Sequence, residues 1–396
     1  MCLAAASHSL PAQLGAISLA APLDYQVFQR QTMTAGQLEI RGTARGRADR
    51  AEARVTGTSS SGVSLDGHWV RLKLDKSSGE FAASLTEPAG GFYQVEVHLL
   101  WQGKQVADTS VPHVGIGEVF VVAGQSNSTN YGEVLQTTET GMVVAFDGTA
   151  WQLANDPQPG VQDHSTKGSF IPAFGDALYR KYHVPIGVAA VGHGSTSVRL
   201  WLPAGDPVYV MPTMTKFITT NAAGDLVSDG TLFDGMMERI RELGPRGFRA
   251  LLWHQGESDA HQAPEHSISP EQYHAMMVRL IQATRAAAGW NISWITAVAT
   301  YHTPQDQGSP ELQAAQRSLW TEGIALEGPN TDTLGPEYRQ NGGKGVHMSD
   351  AGLKAHGAMW AEAVERYIDS TAGHSYAGPR GTRWISDPAL RAIIHA

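Results

Sequence analysis

Four segments of this chain carry the side chains that acyl transfer needs. They are Gly124-Gln125-Ser126-Asn127, Gly192-His193-Gly194-Ser195, Trp253-His254-Gln255-Gly256-Glu257-Ser258-Asp259 and Gly345-Val346-His347. Together they offer a hydroxyl, backbone N–H groups on flexible glycines, a side-chain amide, a carboxylate and an imidazole. That set supplies nucleophile, oxyanion donors, orienting acid and base. Val119-Phe120-Val121-Val122 runs through Ala123 into Gly124, and it reads as a buried strand that breaks into a tight turn. A Ser on such a turn stands at the carboxyl edge of a sheet, where α/β proteins place their ligands. A helix starting just beyond it would add unpaired N–H groups and a favourable dipole beside the hydroxyl. Taken alone, the stretch also fits an ordinary strand-to-loop turn.

These segments meet only if the chain between them forms a parallel sheet. After Pro112 the pattern supports one. Phe170 to Tyr182, Leu232 to Leu243, Pro270 to Ala288, Glu311 to Thr321 and Asp350 to Ile368 have helical spacing. Pro270 suits a first helical position and Ser349 an N-cap. Val184 to Val191, Phe248 to Trp253 and Ile292 to Ala299 are apolar runs of strand length, and Gly323 to Leu326 opens a further short one. Alternating strands and helices predict a mainly parallel sheet covered on both faces. Its strand ends then share one edge, and segments as distant as Ser126 and His347 can converge there.

Ahead of this region the period changes. Gln37 to Gly42, Ala53 to Gly57, Trp69 to Leu74 and Gln94 to Leu99 alternate apolar and polar residues between Gly, Ser and Asp turns. That predicts an all-β, immunoglobulin-like sandwich with a structural role. The expected division is an N-terminal segment 1–22, a sandwich 23–113, an α/β domain 114–370 and a tail 371–396.

Composition narrows the function. The 396 residues are 42% hydrophobic and 17% charged, with a formal net charge of −9 and only 29 Lys and Arg. No basic run marks a nucleic-acid partner, and no apolar run is long enough to span a membrane. Cys2 is the single cysteine, so no intramolecular disulfide forms. Met1 to Ala6 lacks the basic and apolar regions of an export signal. A Cys beside the initiator matches the lipid-bearing Cys of a mature lipoprotein. The expected location is secreted, periplasmic or lipoprotein-anchored in a bacterium with the signal removed, with the cytoplasm left open. His193 and His254 raise the question of a metal, but no spacing such as H-E-x-x-H is present, so neither metal nor other cofactor is expected.

The pair Gly124-Gln125-Ser126-Asn127 and Trp253-His254-Gln255-Gly256-Glu257-Ser258-Asp259 resembles the sialate O-acetylesterase and acetylxylan esterase branch of the SGNH hydrolase superfamily. Gly117-Glu118-Val119 before the Ser strand is similar too, and the likeness runs over roughly 117–368. It implies a flavodoxin-like three-layer α/β/α hydrolase domain, here behind the small sandwich. By position it makes Ser126 the nucleophile and His347 the base. Ser126 and Gly194 would supply oxyanion-hole N–H groups, with Gln255 adding its side-chain amide. Gln125, Asn127, Arg199 and Trp201 are weaker candidates for holding the substrate, Trp201 by stacking on a sugar face, although packing explains the last two equally well.

One position departs from the pattern. Many SGNH hydrolases have an Asp three residues before the His, and here Lys344 stands there. The orienting acid must come from elsewhere, or the site is a Ser–His dyad. Glu257 is the first candidate, with a structural carboxylate as its other reading, and Asp259 and Asp332 follow. The implied activity is a serine esterase that removes O-acetyl groups from a carbohydrate such as sialic acid or xylan. A lipid or aryl esterase of the same superfamily and a carbohydrate-binding protein with a decayed site are the alternatives. The residues leave the oligomeric state open.

Overall fold

A computed structural model describes residues 15–372. Cys2 and almost all of the 371–396 tail lie outside them. From residue 15 to residue 124 every regular element is a strand. Gly15–Ala21, Ala35–Gly46, Glu80–Pro88 and Lys73–Leu74 form a four-stranded antiparallel sheet. Arg50–Thr58 pairs with Gly90–Trp101, which in turn pairs with Lys104–Gly124. The segment expected as one strand, Trp69 to Leu74, is split. Val70–Arg71 pairs with Arg50–Thr58, whereas Lys73–Leu74 pairs with Glu80–Pro88. Leu72 between them is buried and donates its N–H to Ala51, which lets the chain pass from one sheet to the other.

Lys104–Gly124 belongs to both halves of the molecule. Its residues up to Ile116 pair antiparallel with Gly90–Trp101. Its residues from Glu118 onward are the central strand of a parallel sheet, between Ile186–Ala190 and Ala250–His254. Trp294–Val298 and Leu326–Asn330 extend that sheet on one side. Val143–Phe146 and the antiparallel edge strand Trp151–Leu153 extend it on the other. This is a mixed α/β fold around a large, mostly parallel sheet.

Both faces of the sheet are covered, as the unbroken apolar runs require. Phe120 and Val122 point to one face and pack with Phe170, with Phe174 and Leu178 of helix Ile171–Tyr182 and with Trp360 and Val364 of helix Asp350–Thr371. Val119, Val121 and Ala123 point to the other, against helices Thr231–Leu243, Pro270–Ala288 and Pro310–Thr321. Sequence signals set the helix ends. Ser269 and Gln272 make a capping box across the first turn of the helix that starts at Pro270, and Ser349 caps the last helix by accepting from the Gly352 N–H at 3.2 Å.

Where the long strand enters the parallel sheet, Glu118 is fully buried. It accepts from Gln29 Nε2 at 2.9 Å, Arg30 Nε at 2.6 Å and Arg249 Nη2 at 2.7 Å, and also from Arg249 Nε. Burial opposes its ionisation, but the two guanidinium groups outweigh it and hold the carboxyl below its ordinary range. Glu118→Gln would leave two buried cations without their counter-charge. We expect it to lower stability by about 3–5 kcal/mol in urea unfolding. An unchanged midpoint would show that the cluster contributes nothing. Because the folded carboxyl binds its proton more weakly than the unfolded one, the wild-type contribution disappears as pH falls through the folded value.

Candidate active site

The Ser turn is pressed against the neighbouring strand end. Gly124 has φ +127°, and a Cβ there would run into the His254 carbonyl. Gln125 donates its N–H to that same carbonyl at 2.8 Å. No α-helix follows. Ser126–Ser128 is a single 3-10 turn, closed by Ser128 Oγ to Gln125 O at 2.6 Å and Thr129 Oγ1 to Ser126 O at 3.0 Å. A turn this short has no macrodipole of consequence, so the expected helix-end field is missing. Ser126 is 5% exposed, and no hydrogen bond among the described residues engages its Oγ.

Asn127 ties this turn to two distant segments. Its Nδ2 donates to Glu257 Oε1 at 2.8 Å and reaches the carbonyl of Val346, the residue before His347, at 3.5 Å. Glu257 Oε1 also lies 2.9 Å from His254 Nε2. Behind it, His254 Nδ1 is 3.2 Å from His356 Nε2, which accepts from Trp360 Nε1 at 3.0 Å. Burial works against the Glu257 charge, but His254 and the Asn127 hydrogen bond prevail and hold its carboxyl below the ordinary range. His254, weighed in the sequence as a metal ligand, has both ring nitrogens turned to Glu257 and His356.

His347 sits on a loop that Arg339 fixes from beneath. Arg339 is buried and donates to the carbonyls of Leu334, Val346 and Thr331 at 2.8, 2.7 and 3.1 Å. The imidazole lies against the Tyr131 ring, centroids 5.0 Å apart, and its Nδ1 is 2.9 Å from Gln340 Nε2. Burial pushes the His347 pKa down to about 4; Lys167 and Arg339 push the same way and Glu257 opposes them. The expectation that Glu257 bonds this ring is therefore corrected. Its Oε1 is taken by Asn127 and His254, its buried Oε2 has no hydrogen-bond partner among the described residues, and its influence on His347 is through space. The other candidates are committed as well. Asp259 accepts from Ser197 Oγ at 2.5 Å and from the Val198 N–H at 2.8 Å. Asp332 accepts from the Thr300 and Tyr301 N–H groups at 2.7 and 2.9 Å. Lys344 is exposed.

Five further candidate residues are engaged by neighbouring groups in this structure. The Gly194 N–H, expected to face an oxyanion, donates to Asp163 Oδ2 at 2.7 Å. Gln255 is fully buried, and its Nε2 donates to Thr196 O at 3.0 Å and Asp259 Oδ2 at 2.7 Å, which leaves no N–H for an oxyanion. Arg199 and Trp201 wall no pocket, since both are 0% exposed. Arg199 pins the loop carbonyls of Val210 and His266 at 2.8 and 3.0 Å. Trp201 donates to Thr196 Oγ1 at 2.9 Å and packs edge-on against Trp253. Gln125 is buried too, with Oε1 accepting from the Ser258 N–H at 3.0 Å, so it braces the turn rather than facing a ligand.

Three residues of the site escaped sequence reasoning: Tyr131, Asp163 and Gln340. Tyr131 and Asp163 lie in loops and Gln340 opens the short helix Gln340–Gly343, none of them with apolar periodicity. Only the position of Tyr131, five residues after Ser126, hinted at proximity.

The model of a family described as "Carbohydrate esterase, sialic acid-specific acetylesterase" matches residues 116–366. A carbohydrate acetylesterase from Xanthomonas citri is 18% identical, with a TM-score of 0.52 over 91% of this chain and 75% of that one. At that identity the likeness is one of fold. A protein from Arabidopsis thaliana is 17% identical, with a TM-score of 0.44 over 63% of this chain and 98% of that one. Comparison with curated proteins finds no match. The matched span holds the Ser126 turn, the Glu257 segment and the His347 loop, and the chain belongs to the carbohydrate esterase family of sialic acid-specific acetylesterases.

Proposed function

We propose that this esterase removes O-acetyl groups from a carbohydrate through an acetyl-enzyme. The observation that carries the proposal is the Asn127 side chain. It joins the turn bearing Ser126 to Glu257 and to the carbonyl next to His347. Ser126 Oγ attacks the acetyl carbonyl carbon while His347 takes its proton. The oxyanion receives the Ser126 N–H and, once the Asp163 carboxylate moves off it, the Gly194 N–H. His347 then returns the proton to the departing sugar oxygen. Water, deprotonated by His347, attacks the acetyl-enzyme and acetate leaves.

Gln340 takes the place of the usual acid. With its amide turned about the last bond, Oε1 accepts from Nδ1–H and leaves Nε2 free to face the Ser. A neutral partner holds the ring without raising its basicity, and the Glu257 charge favours the imidazolium from a distance. Residues 23–113 act as an accessory sandwich beside the hydrolase domain. Acetylated glycans fit an enzyme working outside the cytoplasm. No helix among the described residues is long and apolar enough to cross a membrane.

Ser126→Ala should reduce acetate release from acetylated xylan or acetylated sialic acid by about 10⁴-fold or more, with folding unchanged by circular dichroism. Retained turnover would remove Ser126 as nucleophile, and a wild-type protein inert toward both glycans and p-nitrophenyl acetate would sink the enzymatic reading.

The half-buried base also sets a pH signature. His347 stays neutral down to about pH 4, so kcat/KM should lose activity near pH 4 rather than at the ordinary 6.5. The folded protein binds fewer protons at this site than the unfolded chain between those values, so stability declines as pH falls from about 6.5 to about 4. Gln340→Glu places a carboxylate against Nδ1 and should move the acid limb up by about one unit or more. An unmoved limb would exclude Gln340 as the partner of the catalytic imidazole.

A further inference from the structure

A second cluster of polar side chains lies outside this machinery. His261 follows the short helix Glu257–Ala260, and His302 and Asp306 lie in the loop after strand Trp294–Val298. One ligand atom from each falls within 4.8 Å of the others. We propose that His261, His302 and Asp306 bind one divalent transition-metal ion of the zinc class.

The hydrogen bonding of His261 is the first support. Its Nε2 lies 2.5 Å from the carbonyl oxygen of Thr300, which only accepts, so this nitrogen is the N–H donor. Its Nδ1 is 2.6 Å from Asp306 Oδ2. Metal-binding imidazoles characteristically donate one ring N–H to a carbonyl or carboxylate, which fixes the ring and aims the other nitrogen at the ion. Here that other nitrogen is aimed at a carboxylate, and a cation between them would replace the proton they share.

His302 supplies the third ligand. Its ring stacks on His261 with centroids 4.6 Å apart and planes 25° from parallel, and no hydrogen bond among the described residues uses its nitrogens. The backbone presets the geometry: the His302 and Thr303 N–H groups donate to Asp306 O at 3.1 and 3.0 Å, and the Asp306 N–H returns to Thr303 O at 3.0 Å. Asp332 clamps the start of the same loop through Thr300 and Tyr301. Two imidazoles and one carboxylate suit zinc or its neighbours, with a fourth position left for water. Zn–N and Zn–O bonds of about 2.0–2.2 Å require the donors to close in somewhat, and the exposed His302 ring is free to rotate. Bound there, the ion would cross-link the loops after two adjacent strands.

The test uses the full chain without an affinity tag, treated with chelator and titrated with ZnCl₂ in a calorimeter, with Co²⁺ absorption as a second readout. The expected result is one equivalent bound with micromolar affinity, a tetrahedral Co²⁺ spectrum and a higher Tm with metal. His302→Gln should weaken binding at least tenfold and remove the Tm shift. Its p-nitrophenyl acetate turnover reports that it has folded. Asp306→Asn, also at an exposed position, should behave alike. Absence of saturable one-equivalent binding to the wild type, or wild-type affinity in both variants, would overturn the proposal.

Discussion

A single carboxylate joins the two halves of this molecule. Glu118 takes hydrogen bonds from Gln29 and Arg30 on the strand-only side and from Arg249 at the start of the next parallel strand. It does so in the middle of Lys104–Gly124, where one backbone changes from antiparallel to parallel pairing. Desolvating three charges is unfavourable and is offset only when every partner is in place. The cluster therefore specifies geometry as well as stability. It fixes the register from which the strand continues, six residues later, to Gly124 and the Ser turn.

The candidate site follows from that register. Once the strand ends beside His254, Gly124 lets the backbone pass close to the His254 carbonyl and Asn127 faces Glu257. Most polar side chains near Ser126 then serve each other. Gln125, Gln255, Asp259, Arg199 and Ser197 form a buried network in which most donors and acceptors are matched, Arg199 Nη2 being held only by the Asp259 charge at 3.5 Å. Such networks are rigid, because an unpaired member in a low-dielectric interior is unfavourable by more than its bond is worth. Rigidity is what a reacting hydroxyl needs from its surroundings.

The strands and helices of the parallel sheet were legible because apolar period and length decide them. The extent of helix Pro270–Ala288 could be taken from its capping residues alone. Short strands such as Val143–Phe146 were not, since four apolar residues between loops resemble many other stretches. Ser126, Asn127, Glu257 and His347 could be picked out because strand ends and glycines mark them. The direction of each side chain could not. Arg199 and Trp201 follow a glycine-rich strand end and look like pocket walls, yet the 3-10 turn Val198–Trp201 turns both inward. Gln340 opens the one-turn helix Gln340–Gly343 and Asp163 sits in a loop; the course of both depends on tertiary contacts, and no period in their neighbourhood points to an imidazole or to Gly194.

The side chain of Asp163 is, chemically, a tethered acetate, and it rests on the Gly194 N–H. Any oxygen that is to use this donor competes with a group held nearby at the millimolar effective concentrations typical of short tethers. Free acetate meets the same competitor and gains little from that N–H. A chain with this loop thus carries its own weak imitation of the small anion that ester cleavage liberates, and the imitation works against product retention.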